Sequence, residues 1–339
     1  MDDLIIRKDR RAGRITFNRP QALNALSHDM ALAIHQALDD WRNDPDVDLV
    51  IIDAEGDKAF CAGGDIAAVY QAGLKGDHAE GERFFFDEYR MNAAIADYPK
   101  PIVALMQGFV MGGGVGVGGH ASHRIVGDTT KIAMPESGIG LIPDVGGSWL
   151  LAHAPGRIGE YLMLTADRMG PGDAIHAGFA DYYLPEGDWP ALIDKLAESG
   201  DVSIIAGAPA PEAPLASADL SAFEGESVAD IIAALEAAGD DTALKPIRRN
   251  SPLSMAAGLR LVREARSDAR MQDSLQREYR FTSRATRDGD FIEGVRAQII
   301  DKDRNPKWRA DASPAAVDAI LSPLGADELH FDEAQGKTP

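Results

Sequence analysis

Apolar residues along this chain follow two rhythms, and the changes from one to the other predict its elements. Leu4-Ile5-Ile6 and Arg14-Ile15-Thr16-Phe17 are short β-prone runs flanking a polar, glycine-containing turn, which predicts an opening hairpin. Asn18-Arg19-Pro20 breaks the second strand. From His28 to Trp41 the period becomes helical, with Met30, Ala33, Ile34, Ala37, Leu38 and Trp41 behind the N-cap residue Ser27. Leu49–Asp53 is short, apolar and β-branched, the pattern of a parallel strand buried on both faces. A loop, Phe60-Cys61-Ala62-Gly63-Gly64-Asp65, and the apolar-periodic Ile66–Gln71 follow it. Strand, glycine loop and helix start recur at Ile102–Met106, Gly108 and Gly112–Gly114. Two such units predict an α/β fold with parallel strands and loops gathered on one edge.

Glu80–Asp97 reads as one long helix stopped by Pro99 and Pro101, with Phe84-Phe85-Phe86 as core residues. Past Gly147 the period predicts helices near Ser148–His153, Ile158–Leu164 and Gly172–His176, a strand near Asp181–Leu184 and a helix after Trp189. Gly207–Ala218 is rich in Ala and Pro without periodicity, a linker or an ordered surface loop. Beyond it the pattern is helical: Val228–Ala237, Ser254–Arg266, Ala269–Arg287 and Phe291–Ile300. The expected organisation is an α/β core over residues 1–195 and a helical region over 196–339 packed on it.

Composition narrows the function. Of 339 residues, 45% are hydrophobic and 26% charged, the balance of a globular protein. The net charge of −20 argues against nucleic acid, whose binding needs phosphates neutralised by Lys and Arg. No run reaches membrane-spanning length, and the N-terminal segment lacks the apolar stretch of a signal peptide. A single cysteine, Cys61, suits a reducing compartment. The expectation is a cytoplasmic protein that binds neither membrane nor nucleic acid.

Three features call for a ligand. The glycine loops Gly63-Gly64 and Gly112-Gly113-Gly114 each follow a strand and precede a helix. If both open on one edge, an N–H from each can converge on one oxygen, as a developing oxyanion requires. Tight strand-to-helix turns alone are the plainer explanation. Gly114–Gly119 also satisfies G-x-G-x-x-G, but the strand before it stops at Met106, so a nucleotide fingerprint is poorly placed. Next, Glu136 and Asp144 are carboxylates in an apolar, glycine-rich stretch. Asp144 could simply cap the following helix, and Glu136 could pair with Lys131 or Arg124. The third is Glu88, midway along a helix, where solvent is the default surrounding. HExxH, paired CxxC, clustered His and G-x-S-x-G are all absent, which disfavours zinc sites and serine hydrolases.

Cys61-Ala62-Gly63-Gly64-Asp65-Ile66, Met111-Gly112-Gly113-Gly114, Pro135-Glu136 and Ile142-Pro143-Asp144-Val145-Gly146-Gly147, in that order, resemble the enoyl-CoA hydratase/isomerase, or crotonase, superfamily. The resemblance implies a spiral of ββα units binding acyl-CoA, with Gly64 and Gly113 donating N–H groups to the thioester oxygen. It implies a CoA-contacting surface from Asn24, Ala25, Ala62, Gly63, Gly64, Asp65 and Ile66; apart from the resemblance, Arg19 and Lys58 are cations that could meet the 3′-phosphate. Hydratases of this superfamily carry a glutamate two residues after the glycine triplet; here Gly116 stands there, and Glu136 alone remains. Glu88-Tyr89 with Asn92, Ala133–Glu136, Pro143–Gly147, Glu293–Ala297, Asp301-Lys302-Asp303 and Pro306-Lys307-Trp308 resemble the branch that hydrolyses 3-hydroxyisobutyryl-CoA in valine breakdown. That implies a catalytic pair Glu136 and Asp144, with Glu88 on the substrate end. CoA then enters as part of the substrate, without metal or redox cofactor, and the protein is open to forming a homo-oligomer. An enoyl-CoA isomerase or hydratase of the same fold is the alternative, and a non-catalytic acyl-CoA-binding protein the more distant one.

Overall fold

The computed structural model describes residues 2–309 and 311–331. Compactness divides the chain into two units of three segments each, rather than by one cut near residue 195. The first comprises Met1–Gly64, Arg90–Ala133 and Arg168–Ser217; the second comprises Asp65–Tyr89, Met134–Asp167 and Ala218–Pro339.

The first unit is built on two sheets. The opening hairpin forms as its alternation predicts: β1 (Leu4–Asp9) pairs antiparallel with β2 (Ala12–Phe17), from Leu4 opposite Phe17 to Asp9 opposite Ala12. Parallel strands continue the sheet from β2 through β3 (Leu49–Ala54), β5 (Ile102–Met106), β7 (His123–Val126) and β9 (Tyr182–Tyr183). One face presents Ala12, Leu49, Ile51, Val103, Leu105 and Ile125 to Trp189, Leu192 and Leu196 of the helix Trp189–Ser199. Successive side chains of a strand alternate between faces, so Gly13 points to the other side. A Cβ there would come within 2.3 Å of the Trp41 ring, and the helix His28–Arg42 covers that face. Burial on both faces is why β3 and β5 read as continuous apolar runs.

A second sheet escapes the sequence pattern, since β4 (Ala59–Cys61), β6 (Phe109–Met111) and β8 (Lys131–Ala133) have three residues each. All are parallel, with β6 in the centre. Gly63-Gly64 follows β4, Gly112-Gly113 follows β6, and Glu136 lies three residues past β8. The Ala/Pro-rich stretch is an ordered loop: the Ala208 N–H donates to Tyr183 O at 2.8 Å, and the Leu215 N–H to the Asp173 side chain at 2.9 Å.

Helices make up the second unit. Ala67–Leu74, Gly147–His153, Ile158–Thr165, Val228–Ala238, Pro252–Ala265 and Met271–Ala285 lie close to their expected bounds. Asp241–Ile247 and Pro314–Ile320 were not expected. The last expected helix is α-helical only over Phe291–Val295 and widens to a π-turn over Arg296–Ile300. Arg296 holds that turn, binding Glu293, Asp301 and Asp303 together.

Candidate active site

The glycine loops belong to the first unit. Because β4 and β6 are adjacent and parallel, Gly63-Gly64 and Gly112-Gly113 leave the same edge of the small sheet. Gly63 (φ 122°) and Gly112 (φ 47°) take backbone conformations closed to most L-residues. The helix Gly113–Gly118 begins at once, and its own bonds start with the Val115 and Gly116 N–H groups donating to Gly112 O at 2.8 and 3.0 Å. The N–H of Gly113 therefore belongs to the helix's first turn, where donors have no acceptor within the helix. A Cβ on Gly114 would lie 2.1 Å from the Cys61 carbonyl oxygen, and one on Gly118 would lie 2.6 Å from Met106 Sδ. Those glycines pack helix against strand within a six-residue buried helix, which removes the nucleotide-fingerprint reading.

Asn24 sits behind this edge with its side chain fully engaged. Its Oδ1 accepts from the Arg19 N–H at 2.8 Å, and its Nδ2 donates to the carbonyls of Ala59 (2.8 Å) and Glu55 (3.0 Å). Asn24 thus shapes the loop that bears Ala25. The Leu26 N–H donates to Gly63 O and the Ala62 N–H to Leu23 O, so the two segments are laced together. Arg19 donates to Ala25 O at 2.9 Å and lies 3.4 Å from Asp3, whereas Lys58 is exposed beside a shallow depression lined by Pro20, Asn24, Glu55 and Asp57. Asp65 and Ile66 open the second unit; both are half-buried and lead into the helix Ala67–Leu74.

The carboxyl groups belong to the second unit, and every one is buried: Glu88 is 2% exposed, Glu136 4% and Asp144 3%. Glu88 is therefore not a solvated helix position. Its Oε1 and the Oε2 of Glu136 have no hydrogen-bond partner. Neither cation considered for Glu136 is free for it, since Arg124 pairs with Asp181 and Lys131 lies over the Phe109 ring. Burial pushes the Glu136 carboxyl well above the usual range, and the charges of Asp144, Glu278 and Glu88 push it further. Glu88 is raised in the same way, by burial and then by Asp144. For Asp144, burial outweighs the hydrogen bonds that favour its ionised form, and the carboxyl stands at about 7.

Asp144 does not cap the next helix. Gly146 is the residue before the first turn, without a side-chain cap, and Asp144 Oδ2 instead accepts from the Tyr89 hydroxyl at 2.6 Å. Capping falls to a residue that the sequence reading missed. Glu278, on Met271–Ala285, accepts from the N–H groups of Gly146 (2.8 Å) and Ser148 (3.0 Å) and from the Ser148 hydroxyl. Those donors also steady Val145 (φ 53°), a β-branched residue in a strained left-handed conformation. Burial of Glu278 prevails over its three donors and moves the carboxyl up to about 8. A signal for it was available: Met271, Leu275, Glu278, Thr282 and Ala285 recur at helical spacing, placing the glutamate on an inward stripe.

Glu136 opens the turn Glu136–Ile139, which is braced on several sides. Ser137 Oγ donates to Met163 O at 2.9 Å, and the Ser251 N–H donates to Ser137 O at 2.9 Å. Gly294 lies so close that a Cβ on it would be 2.1 Å from Ile139 O.

A family model for enoyl-CoA hydratase/isomerase matches residues 12–321. The chain belongs to this family. Within it, the chain is 38% identical to the 3-hydroxyisobutyryl-CoA hydrolase, mitochondrial, of Gallus gallus, over 96% of this chain and 90% of that protein. It is 39% identical to the protein of the same name from Xenopus tropicalis, over 94% of this chain and 88% of that one. A crystal structure of an enoyl-CoA hydratase from Rhodobacter sphaeroides is 53% identical and superimposes with a TM-score of 0.93, covering 97% of this chain and 100% of the other. The enoyl-CoA hydratase/isomerase fold is thus carried by nearly the whole chain, helical C-terminal region included.

Proposed function

We propose that this chain hydrolyses the thioester of a short 3-hydroxyacyl-CoA, converting 3-hydroxyisobutyryl-CoA to 3-hydroxyisobutyrate and CoA in valine breakdown. The observation that carries this reading is the buried pair Glu136 and Asp144, one with an unpartnered oxygen and the other anchored by a phenol. The names of the Gallus gallus and Xenopus tropicalis relatives support the same substrate.

In this reading the N–H groups of Gly64 and Gly113 hold the thioester carbonyl oxygen and the negative charge that develops on it. Glu136 supplies the attack on the carbonyl carbon, directly to form a mixed anhydride or through a water that it deprotonates. Its raised affinity for a proton makes its ionised form a stronger base than a surface carboxylate. Asp144, ionised, positions the water and manages the proton, and Glu88 meets the substrate hydroxyl. The C–S bond then breaks and CoA leaves as the thiol. Asn24, Ala25, Ala62, Gly63, Asp65 and Ile66 contact CoA, which Lys58 suits better than the already engaged Arg19. The cytoplasm remains part of the reading; the buried Cys61 thiol, which is in no disulfide, fits any reducing compartment, and the two animal relatives carry "mitochondrial" in their names.

Hydration of an enoyl-CoA is the second reading, favoured by the name of the Rhodobacter sphaeroides structure. Against it, the helix Gly113–Gly118 has glycine at position 116, so the second carboxylate of a hydratase is missing. An isomerase needs one glutamate only and leaves Asp144 without a task. Thiol release from 3-hydroxyisobutyryl-CoA, followed beside the absorbance of crotonyl-CoA, separates these reactions. Rapid thiol release with a stable crotonyl signal is expected; loss of that signal without thiol would establish a hydratase.

A further inference from the structure

The Tyr89 hydroxyl has an unusual setting for a helix residue. It is fully buried, donates to Asp144 Oδ2 at 2.6 Å and lies 3.1 Å from Thr282 Oγ1. Phe85 and Tyr279 pack against its ring, each with centroids 6.2 Å away, which fixes the direction of the phenol. Thr282 reaches back to Glu278 O at 3.3 Å, on the helix whose Glu278 holds the Gly146 and Ser148 N–H groups. The turn carrying Asp144 is therefore gripped through its side chain by Tyr89 and through its backbone by Glu278.

We propose that Tyr89 is a positioning residue for the hydrolysis, holding Asp144 ionised and turned toward its proton-handling position. This rests on the functional reading given for Asp144. The other titratable groups around Asp144 are Glu88, Glu136 and Glu278, which as carboxylates all oppose its ionisation. Tyr89 is the foremost donor that works against them, ahead of Asp144's own backbone N–H. A hydrogen bond to a charged group strengthens the charged form, so removing the hydroxyl raises the proton affinity of Asp144 without moving the backbone.

The test compares wild type, Tyr89→Phe and Thr282→Val by two readouts. Infrared difference titration against Asp144→Asn reports the protonation midpoint of Asp144 without any turnover. The pH profile of thiol release reports its ionisation during catalysis. Tyr89→Phe should raise the infrared midpoint and the acid limb of kcat together, by about one pH unit, with KM changed less than threefold. Thr282→Val leaves the phenol in place but removes a competing acceptor of its proton, so it should move both in the opposite direction by a smaller amount, which covers the case of a Tyr89→Phe protein that does not fold. An unmoved infrared midpoint in a folded Tyr89→Phe protein, or a rate loss equal at every pH, would overturn the proposal. Absence of thiol release from the wild type would instead overturn the functional reading and leave the infrared result to decide the role of Tyr89.

Discussion

Four carboxyl groups, Glu88, Glu136, Asp144 and Glu278, lie buried within one unit, and all are pushed above the ordinary carboxylate range. An ionised carboxylate loses much of its hydration on burial, so the folded state holds these protons more tightly than the unfolded chain does. The sign of the effect on stability follows. Below the unfolded values of 3.8 and 4.5 the contribution of Asp144 and Glu278 is fully present; it is lost as pH rises through about 7 and about 8. Each pH unit between unfolded and folded midpoints corresponds to about 1.4 kcal/mol, so these groups together weaken the fold by several kcal/mol between pH 5 and pH 8, on an order-of-magnitude basis. Urea unfolding at the two pH values should show lower stability at the higher one, and Glu278→Gln should flatten the difference. Stability that increases over this window would mean that the carboxyls are ionised at little cost.

Among the elements, the turn bearing Glu136 depends on a neighbour with no side chain. Gly294 belongs to the helix Phe291–Val295, and a Cβ on it would meet Ile139 O at 2.1 Å and the carbonyl carbon at 2.2 Å. Overpacking of this kind costs about 1–3 kcal/mol, and here the displaced backbone is that of the turn bearing Glu136, which the proposed mechanism uses. Gly294→Ala should lower kcat at least tenfold while the melting temperature falls only modestly, as measured by thiol release and calorimetry. Unchanged kcat would show that the helix can retreat without disturbing Glu136. In the sequence, Gly294 is legible only as part of Glu293–Ala297; its close contact with Ile139 is a tertiary fact. The same divide runs through the fold. The hairpin, the buried strands β3 and β5 and most long helices have enough residues for a period to appear. The strands β4, β6 and β8 have three each, too few for alternation to register, although their glycine loops were visible. For the site, Glu136 and Asp144 stood out as charges in an apolar stretch. Glu88 and Tyr89 entered only through the family resemblance, and Glu278, although it lies on an inward helical stripe, does not stand out from the other polar residues of its helix.

At the scale of the molecule, the chain carries a net charge of −20, with the buried carboxyls Glu88, Glu136, Asp144 and Glu278 in one unit and the glycine-edged sheet in the other. No helix among the described residues is long and apolar enough to cross a membrane. Family membership over residues 12–321 assigns the scaffold, and the identity of residues 116, 136 and 144 selects the chemistry proposed for it. The most direct test of that selection is thiol release from 3-hydroxyisobutyryl-CoA by wild type and Glu136→Gln, with acyl-CoA binding measured on the same preparations. The substitution removes the proposed base or nucleophile and preserves size, so turnover should fall by about 10³-fold or more while binding changes only a few-fold. A Glu136→Gln protein that releases thiol at the wild-type rate would contradict the assignment of this carboxylate and the mechanism built on it.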